Sequence, residues 1–329
     1  MKDLIGELAG IQGPSGSEEQ VRAAILEKLE GLADEVKVDA LGNVIAVRHG
    51  KGPKVMLSAH MDEIGVIVTH IDEKGFLRFA PVGGLNPHRL PGARVAFLNG
   101  AIGVIGVEKL EEIKELKFAR LYIDIGVTDK AGAEAKVKIG DTAVMWRPME
   151  DLGQRVVAKA LDDRIGCAIL LEVLRLLKKP MNETYFVFTV EEELGRRGAS
   201  TSAFGIDPGY GIAVDATITG DTPEAPKVAL ALGKGPAIKV KDSSLISHPG
   251  VRKLLIAAAE EAGVPYQLEV LDFGGNDAGA IHLTRAGVPS GTVSIPIRYV
   301  HTPSEMADLD DVAGAIKLLV ALLEKPLAI

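Results

Sequence analysis

Apolar and polar positions follow two different rhythms along this chain. Near the start, Val21, Ala24, Ile25 and Leu29 recur at helical spacing, and Ser17 with Gln20 forms a capping box that predicts where the helix begins. The apolar run KVMLSA (54–59) reads as a buried strand. From Val66 the texture changes to short β-branched runs, such as GVIVTHID, ARVAFLNG, AIGVIGV and RLYIDIGV, broken by glycine-containing turns. Asn99-Gly100 between two such runs is a hairpin signal, and only Lys109–Lys117 looks helical there. The pattern predicts a small β-barrel over residues 66–155, inserted between the two halves of another unit.

After Val156 the helical rhythm returns. Helices are predicted over Asp163–Leu177, Val251–Ala262, Ala278–Ala286 and Leu309–Leu323, with strands at TYFVFTV (184–190), GIAV (211–214) and GTVSI (291–295). Strands alternating with helices imply an α/β fold with a mostly parallel sheet flanked by helices, assembled from residues 1–65 and 156–329.

Composition narrows the function classes. At 329 residues with 47% hydrophobic positions, the chain can bury a large core. No apolar run reaches the roughly 18 residues of a membrane helix, so no membrane partner is expected. The start, MKDLIGELAG, carries acidic residues where a signal peptide would be basic, which predicts a cytoplasmic protein. A net charge of −8 without a basic stripe argues against nucleic acid. Cys167 is the lone cysteine, so no internal disulfide forms, and its apolar neighbours predict burial.

The candidate chemistry gathers where predicted strands end. KVMLSA runs into His60-Met61-Asp62, TYFVFTV into Glu191-Glu192-Glu193, GIAV into Asp215, and GTVSIPIRYV into His301. Ligands of open α/β sheets collect at the carboxyl ends of strands, so these residues should converge, joined by Asp162-Asp163-Arg164 in a loop before a helix. Singly, an acidic triplet is usually a solvated turn and a lone histidine a structural one. Charged residues placed straight after core strands are costly unless something compensates them, and a divalent cation does. Two histidines with several carboxylates make an N/O donor set suited to zinc, cobalt or manganese. His49, His70, His88, His248 and His282 show no convergent partners and read as structural or surface residues.

His60-Met61-Asp62-Glu63-Ile64-Gly65, Leu161-Asp162-Asp163-Arg164, Glu192-Glu193 with Gly195 and Arg197-Gly198, Val214-Asp215, and Arg298-Tyr299-Val300-His301-Thr302-Pro303 resemble, in order, the five motifs of the glutamyl/deblocking aminopeptidases, the dinuclear metallopeptidases known for TET-type tetrahedral particles. The resemblance covers essentially the whole chain. It implies that His60, Asp162 and Asp215 hold one divalent ion, that Asp162, Glu193 and His301 hold the other, and that Asp162 bridges them. By the same resemblance Glu192 is the general base and Asp62 fixes the imidazole of His60.

The implied reaction is removal of N-terminal residues from short peptides with a free N-terminus, using two zinc or cobalt ions, with manganese as a third candidate. Asn276 and Thr302 stand where the family often has Thr or Ser and Ser respectively, which leaves the substrate preference open. The alternatives are a deacylase or carboxypeptidase with the same two-metal core, or a glycoside hydrolase working through a carboxylate pair. Aromatic platforms for a sugar are scarce, with one Trp and five Tyr. The insertion contributes none of the implied ligands, so its expected role is assembly into a homo-oligomer, by resemblance a dodecamer, rather than chemistry.

Overall fold

Apolar strands that must bury both faces need a helix layer on each side, and the computed structural model, which describes residues 1–329, is built that way. In chain order the elements before the insertion are α1 (Lys2–Gly10), α2 (Glu19–Lys28), β1 (Glu35–Val38), β2 (Val44–Arg48) and β3 (Lys54–His60). The insertion holds β4 (Gly65–Ile71), β5 (Leu77–Val82), β6 (Arg94–Phe97), β7 (Ile102–Val107), β8 (Leu121–Asp124), α3 (Lys130–Glu134) and β9 (Thr142–Met145). After it come β10 (Glu150–Asp151), β11 (Arg155–Ala158), α4 (Leu161–Leu176), β12 (Glu183–Thr189), α5 (Arg197–Ile206), β13 (Tyr210–Ile218) and β14 (Ala237–Lys241). The chain finishes with α6 (Pro249–Glu261), β15 (Gln267–Val270), α7 (Asp277–Ile281), β16 (Ser290–Arg298), β17 (Glu305–Asp308) and α8 (Leu309–Leu323).

The main sheet runs β1-β2-β12-β3-β13-β16-β17-β11-β10, with β14 and β15 attached beside β16. Its centre, β12-β3-β13-β16, is parallel. The flanking pairs β1-β2, β2-β12, β14-β16, β16-β17, β17-β11 and β11-β10 are antiparallel, so the sheet is mixed around a parallel core. One face packs α4, α6 and α8 through Ile165, Leu170, Leu255, Leu318 and their neighbours. The other face is covered by α5 and α7 through Ala199, Ala203, Ile206 and Ile281. Truncating one of the buried leucines to alanine in such a core typically costs about 2–5 kcal/mol.

The insertion closes as a six-stranded barrel, β4-β5-β8-β7-β6-β9, around its own core of Val66, Leu77, Phe79, Phe97, Ile123 and Met145. Asn99-Gly100 turns β6 into β7, with Gly100 at φ +88°. On β7 the alternate residues Ile102 and Val104 face outward, about half exposed. No helix is long and apolar enough to cross a membrane.

Several local expectations need correction. The Ser17–Gln20 capping box does not form: Glu18 is the N-cap of α2 and makes no side-chain cap bond, while Ser17 Oγ meets Thr142. Lys109–Lys117 yields only a 3-10 turn at Ile113–Glu115, because only Leu110 and Leu116 pack on the barrel core while Ile113 is left exposed. The helix expected over Ala278–Ala286 stops at Ile281, ahead of Arg285 at φ +51° and the proline at 289. α1, α3 and α5 and strands β1, β2, β10, β11, β14, β15 and β17 add to the elements that the apolar pattern predicts.

Candidate metal centre

β3, β12, β13 and β16 lie side by side and in parallel, so their carboxyl ends open at one edge of the sheet. β3 ends at His60, and β12 ends one step before Val190, where the chain turns sharply. Glu191 sits at φ +54°, and the amides of Gly195 and Arg196 both bond the Glu192 carbonyl. The chain therefore curls rather than staying extended, and Glu192 and Glu193 line the same cavity. Asp215 lies inside β13, which continues to Ile218, and His301 follows β16 in a loop at φ +58°. Ala160, Glu191, Tyr299 and His301 all hold positive φ next to the candidate residues, a conformation that costs roughly 1–3 kcal/mol each and persists only where the surroundings impose it.

Two groups emerge, each with its ligand-type atoms within 4.8 Å of one another: His60, Asp162 and Asp215, and Asp162, Glu193 and His301. Asp162 belongs to both and divides its carboxylate between them. Its Oδ1 lies 3.1 Å from His60 Nε2, and its Oδ2 lies 3.4 Å from His301 Nε2. Asp215 Oδ1 is 3.8 Å from His60 Nε2, and Glu193 Oε1 is 3.1 Å from His301 Nε2. All of these residues and Glu192 line one cavity of about 400 Å³.

The charge balance tests whether a cation fits here. Burial, then the charge of Asp162, pushes Asp215 well above the usual carboxylate range. Burial does the same to Glu192, reinforced by Asp215 and Glu193. Burial works against a charged His301, yet its hydrogen bonds to Asp162 and Glu193 push it up to about 12. Burial thus works against ionising all of these carboxylates, while the two imidazoles are driven toward their charged form by the carboxylates beside them. A one-histidine, two-carboxylate donor set at each position fits a borderline divalent ion that would compensate those carboxylates.

Asp62 is fully buried, but its carboxylate does more than face the imidazole. His60 Nδ1 lies 3.1 Å from the Asp62 backbone carbonyl and 3.4 Å from Oδ1. The carboxylate itself accepts the Glu192 amide at 2.9 Å, the Glu193 amide at 3.1 Å and the Ser15 hydroxyl at 2.6 Å. Asp62 thus fixes the turn that carries both glutamates. Asp163 is buried and accepts the amides of His60 and Gly166. Arg164 is wholly buried and donates to the carbonyls of Met61, Leu8 and Ile11 and to Glu63, which also receives Lys159 at 2.7 Å. Removing one partner from such a buried network costs about 3–5 kcal/mol. Cys167 is buried, with its thiol pushed up by burial and directed at the His60 carbonyl.

Two contributors escape a reading of the sequence. The first comes from the insertion: the Gly84 carbonyl accepts His301 Nδ1–H at 2.8 Å, and Gly84, Asn86 and Arg89 line the cavity. The insertion still contributes no member of either group, but through this contact it reaches the site. The second is Glu305, which is 2% exposed. It is pushed up to about 8 by burial and by the charge of Asp162, and it accepts the amides of Asp162 and His301. The five remaining histidines stay outside both groups, as expected.

Known proteins resemble this chain over nearly its whole length. A lysyl aminopeptidase of Pyrococcus furiosus is 35% identical over 98% of this chain and 96% of its own. A relative in Acetivibrio thermocellus, named only provisionally as an aminopeptidase, is 53% identical over 97% of both chains. Among solved structures, an aminopeptidase of the archaeon Desulfurococcus kamchatkensis superposes with a TM-score of 0.94 at 39% identity, covering 98% of this chain and 94% of that one. The TET1 peptidase of Pyrococcus horikoshii, described as assembling into a tetrahedron or a large octahedral shell, gives 0.90 at 33% identity over 98% of each chain. One further neighbour, from Thermotoga maritima, is described as an endoglucanase, with a TM-score of 0.83, 35% identity, and coverage of 97% of this chain and 96% of that one. The M42 glutamyl aminopeptidase family matches residues 42–318, so the chain belongs to that family and is a hydrolase acting on peptide bonds.

Proposed function

We propose that the protein is an aminopeptidase that binds two divalent ions and releases N-terminal residues from short peptides with a free N-terminus. The observation that carries this reading is the divided carboxylate of Asp162, with one oxygen toward His60 and the other toward His301. In this reading His60, Asp162 and Asp215 hold one ion, and Asp162, Glu193 and His301 hold the second. When bound, the ions supply Lewis acidity, lowering the pKa of water and polarising the scissile carbonyl. Glu192, outside both groups but in the same cavity, takes the proton of the attacking water and delivers it to the leaving amine. Asp62 acts through position, since its carboxylate holds the amides of Glu192 and Glu193. A free α-amine on the substrate would coordinate an ion or meet the carboxylates lining the cavity, which would make the enzyme an exopeptidase.

The reading includes the division of the chain into a catalytic unit (1–65 and 156–329) and a barrel (66–155), a cytoplasmic location, and a homo-oligomer of twelve subunits. The solved relatives with shell assemblies and the outward Ile102 and Val104 support assembly. Zinc and cobalt suit the donor set best, with manganese next.

The deciding experiment is peptidase activity on a panel of aminoacyl-anilides after chelation and after return of single metals. The expected outcome is complete loss on chelation and recovery with Zn²⁺ or Co²⁺. Full activity in a sample verified to be metal-free would end this reading. Because one similar structure is described as an endoglucanase, cellulose is assayed alongside. A glycosidase needs no metal and would keep its activity in chelator. Peptides blocked at the N-terminus separate a deacylase, which cleaves them, from the proposed aminopeptidase, which does not.

A further inference from the structure

Glu305 opens β17, the strand that lies between β16 and β11. β16 leads into the loop carrying His301, and β11, whose Ala158 pairs with Glu305, leads into the segment carrying Asp162. The two candidate ligands therefore leave from strands on opposite sides of one residue. Glu305 reaches both: Oε1 accepts the His301 amide at 2.8 Å and Oε2 accepts the Asp162 amide at 3.0 Å. The side chain is almost wholly buried and lies outside both metal-competent groups.

We propose that Glu305 is a positioning residue that sets the distance between Asp162 and His301, and with it the spacing of the two ions. The inference rests on the two-ion reading above. Both contacts are backbone N–H donors, so each Glu305 oxygen acts as an acceptor, and an ionised carboxylate is the only side-chain group of this length with two acceptor oxygens and no donor. Glutamine keeps the shape but turns an amide NH₂ toward one of the two backbone N–H groups, so one arm of the clamp opens. Aspartate keeps both acceptors on a stem one carbon shorter. Partners of this kind, which orient ligands without binding metal, typically change affinity by about 10–100-fold when altered.

The test is metal affinity, read by competition with a chromophoric chelator and by the visible spectrum of the Co²⁺-loaded protein, for wild type, Glu305→Gln and Glu305→Asp. The thermal midpoint of each metal-free protein is measured beside it. We expect Glu305→Gln to bind both ions about 10–100-fold more weakly, with an altered Co²⁺ spectrum, and Glu305→Asp to fall between it and wild type. Wild-type affinity and spectrum in Glu305→Gln overturn the proposal, even if its metal-free form melts earlier, because that is the signature of a purely structural contact. If Glu305→Gln does not fold, Glu305→Asp decides: weaker binding with an altered spectrum supports the clamp, and unchanged binding overturns it. Wild-type protein that binds no ion at all would instead sink the two-ion reading itself.

Discussion

The two candidate metal groups share Asp162 but are built from different parts of the molecule. The His60 group sits on core strands: the His60 side chain is 3% exposed, and Asp215 lies within β13 in register with Ser294. The His301 group sits on loops, with the His301 side chain 30% exposed and its Nδ1 held by a carbonyl from the inserted barrel. A more buried group exchanges more slowly because fewer waters reach it to replace a ligand as it leaves. A loop-borne group can adapt, and water or substrate can enter it. The comparison predicts a tightly held ion at the first position and a more exchangeable one at the second.

Glu192 lines the same cavity as both groups and belongs to neither, so it gives the largest effect with the least change in metal. Glu192→Gln should lower kcat by roughly 10²–10⁴-fold, the usual worth of a general base, while both ions stay bound. Loss of an ion in this variant would place Glu192 in the ligand set and require the two groups to be redrawn. Glu193→Gln is the control, expected to weaken the His301 group alone.

The shared and unshared ligands come next. Asp162→Asn should weaken both ions together, because each group uses one of its oxygens. His60→Ala should empty the buried group and also destabilise the metal-free protein, by about 3–5 kcal/mol, since the carboxylates around it lose a compensating charge inside the protein. His301→Ala should weaken only the second ion and destabilise the metal-free protein less than His60→Ala, because the His301 side chain is 30% exposed against 3% for His60. Metal content per subunit and urea midpoints separate these cases. Equal losses in His60→Ala and His301→Ala would remove the distinction between a buried and an adaptable group.

What is legible in the sequence follows from which physics it encodes. Strands β3 and β12 are visible because both faces are buried and the residues read as continuous apolar runs. α8 is visible because a helix between sheet and solvent shows its period. α5 is not, since RGASTSAFGI is small and polar and becomes helical by packing on β12 and α7. Strands β14, β15 and β17 are four or five residues long, too short to carry a pattern. At the site, ligand-type side chains are legible because their chemistry is written in their identity. Gly84, Asp62 and Glu305 are missed, or only partly understood, because they act on or through backbone amides and carbonyls, which every residue has. Only the fold decides which of those groups face one another.

Gly84 offers the finest test of the comparison, because it touches one group and not the other. Its backbone is not in the left-handed region, so alanine can adopt the conformation, and the cost of substitution is steric. A Cβ there would lie 2.7 Å from His301 Nδ1 and 2.8 Å from Cε1, closer than nonbonded atoms tolerate. The imidazole must tilt, and since His301 is partly exposed it has room to do so. The hydrogen bond from Nδ1 to the Gly84 carbonyl then weakens, and the ring loses the partner that orients it. Gly84→Ala should therefore weaken the second ion by about tenfold, at the low end for an orienting partner, and leave the first unchanged. A chelator titration would show this as a widened gap between two release steps. If both steps shift together, the groups are coupled tightly enough through Asp162 to behave as one site, and the separation by burial fails. If neither shifts, the barrel loop touches the site without steering it, and the insertion's role returns to assembly alone.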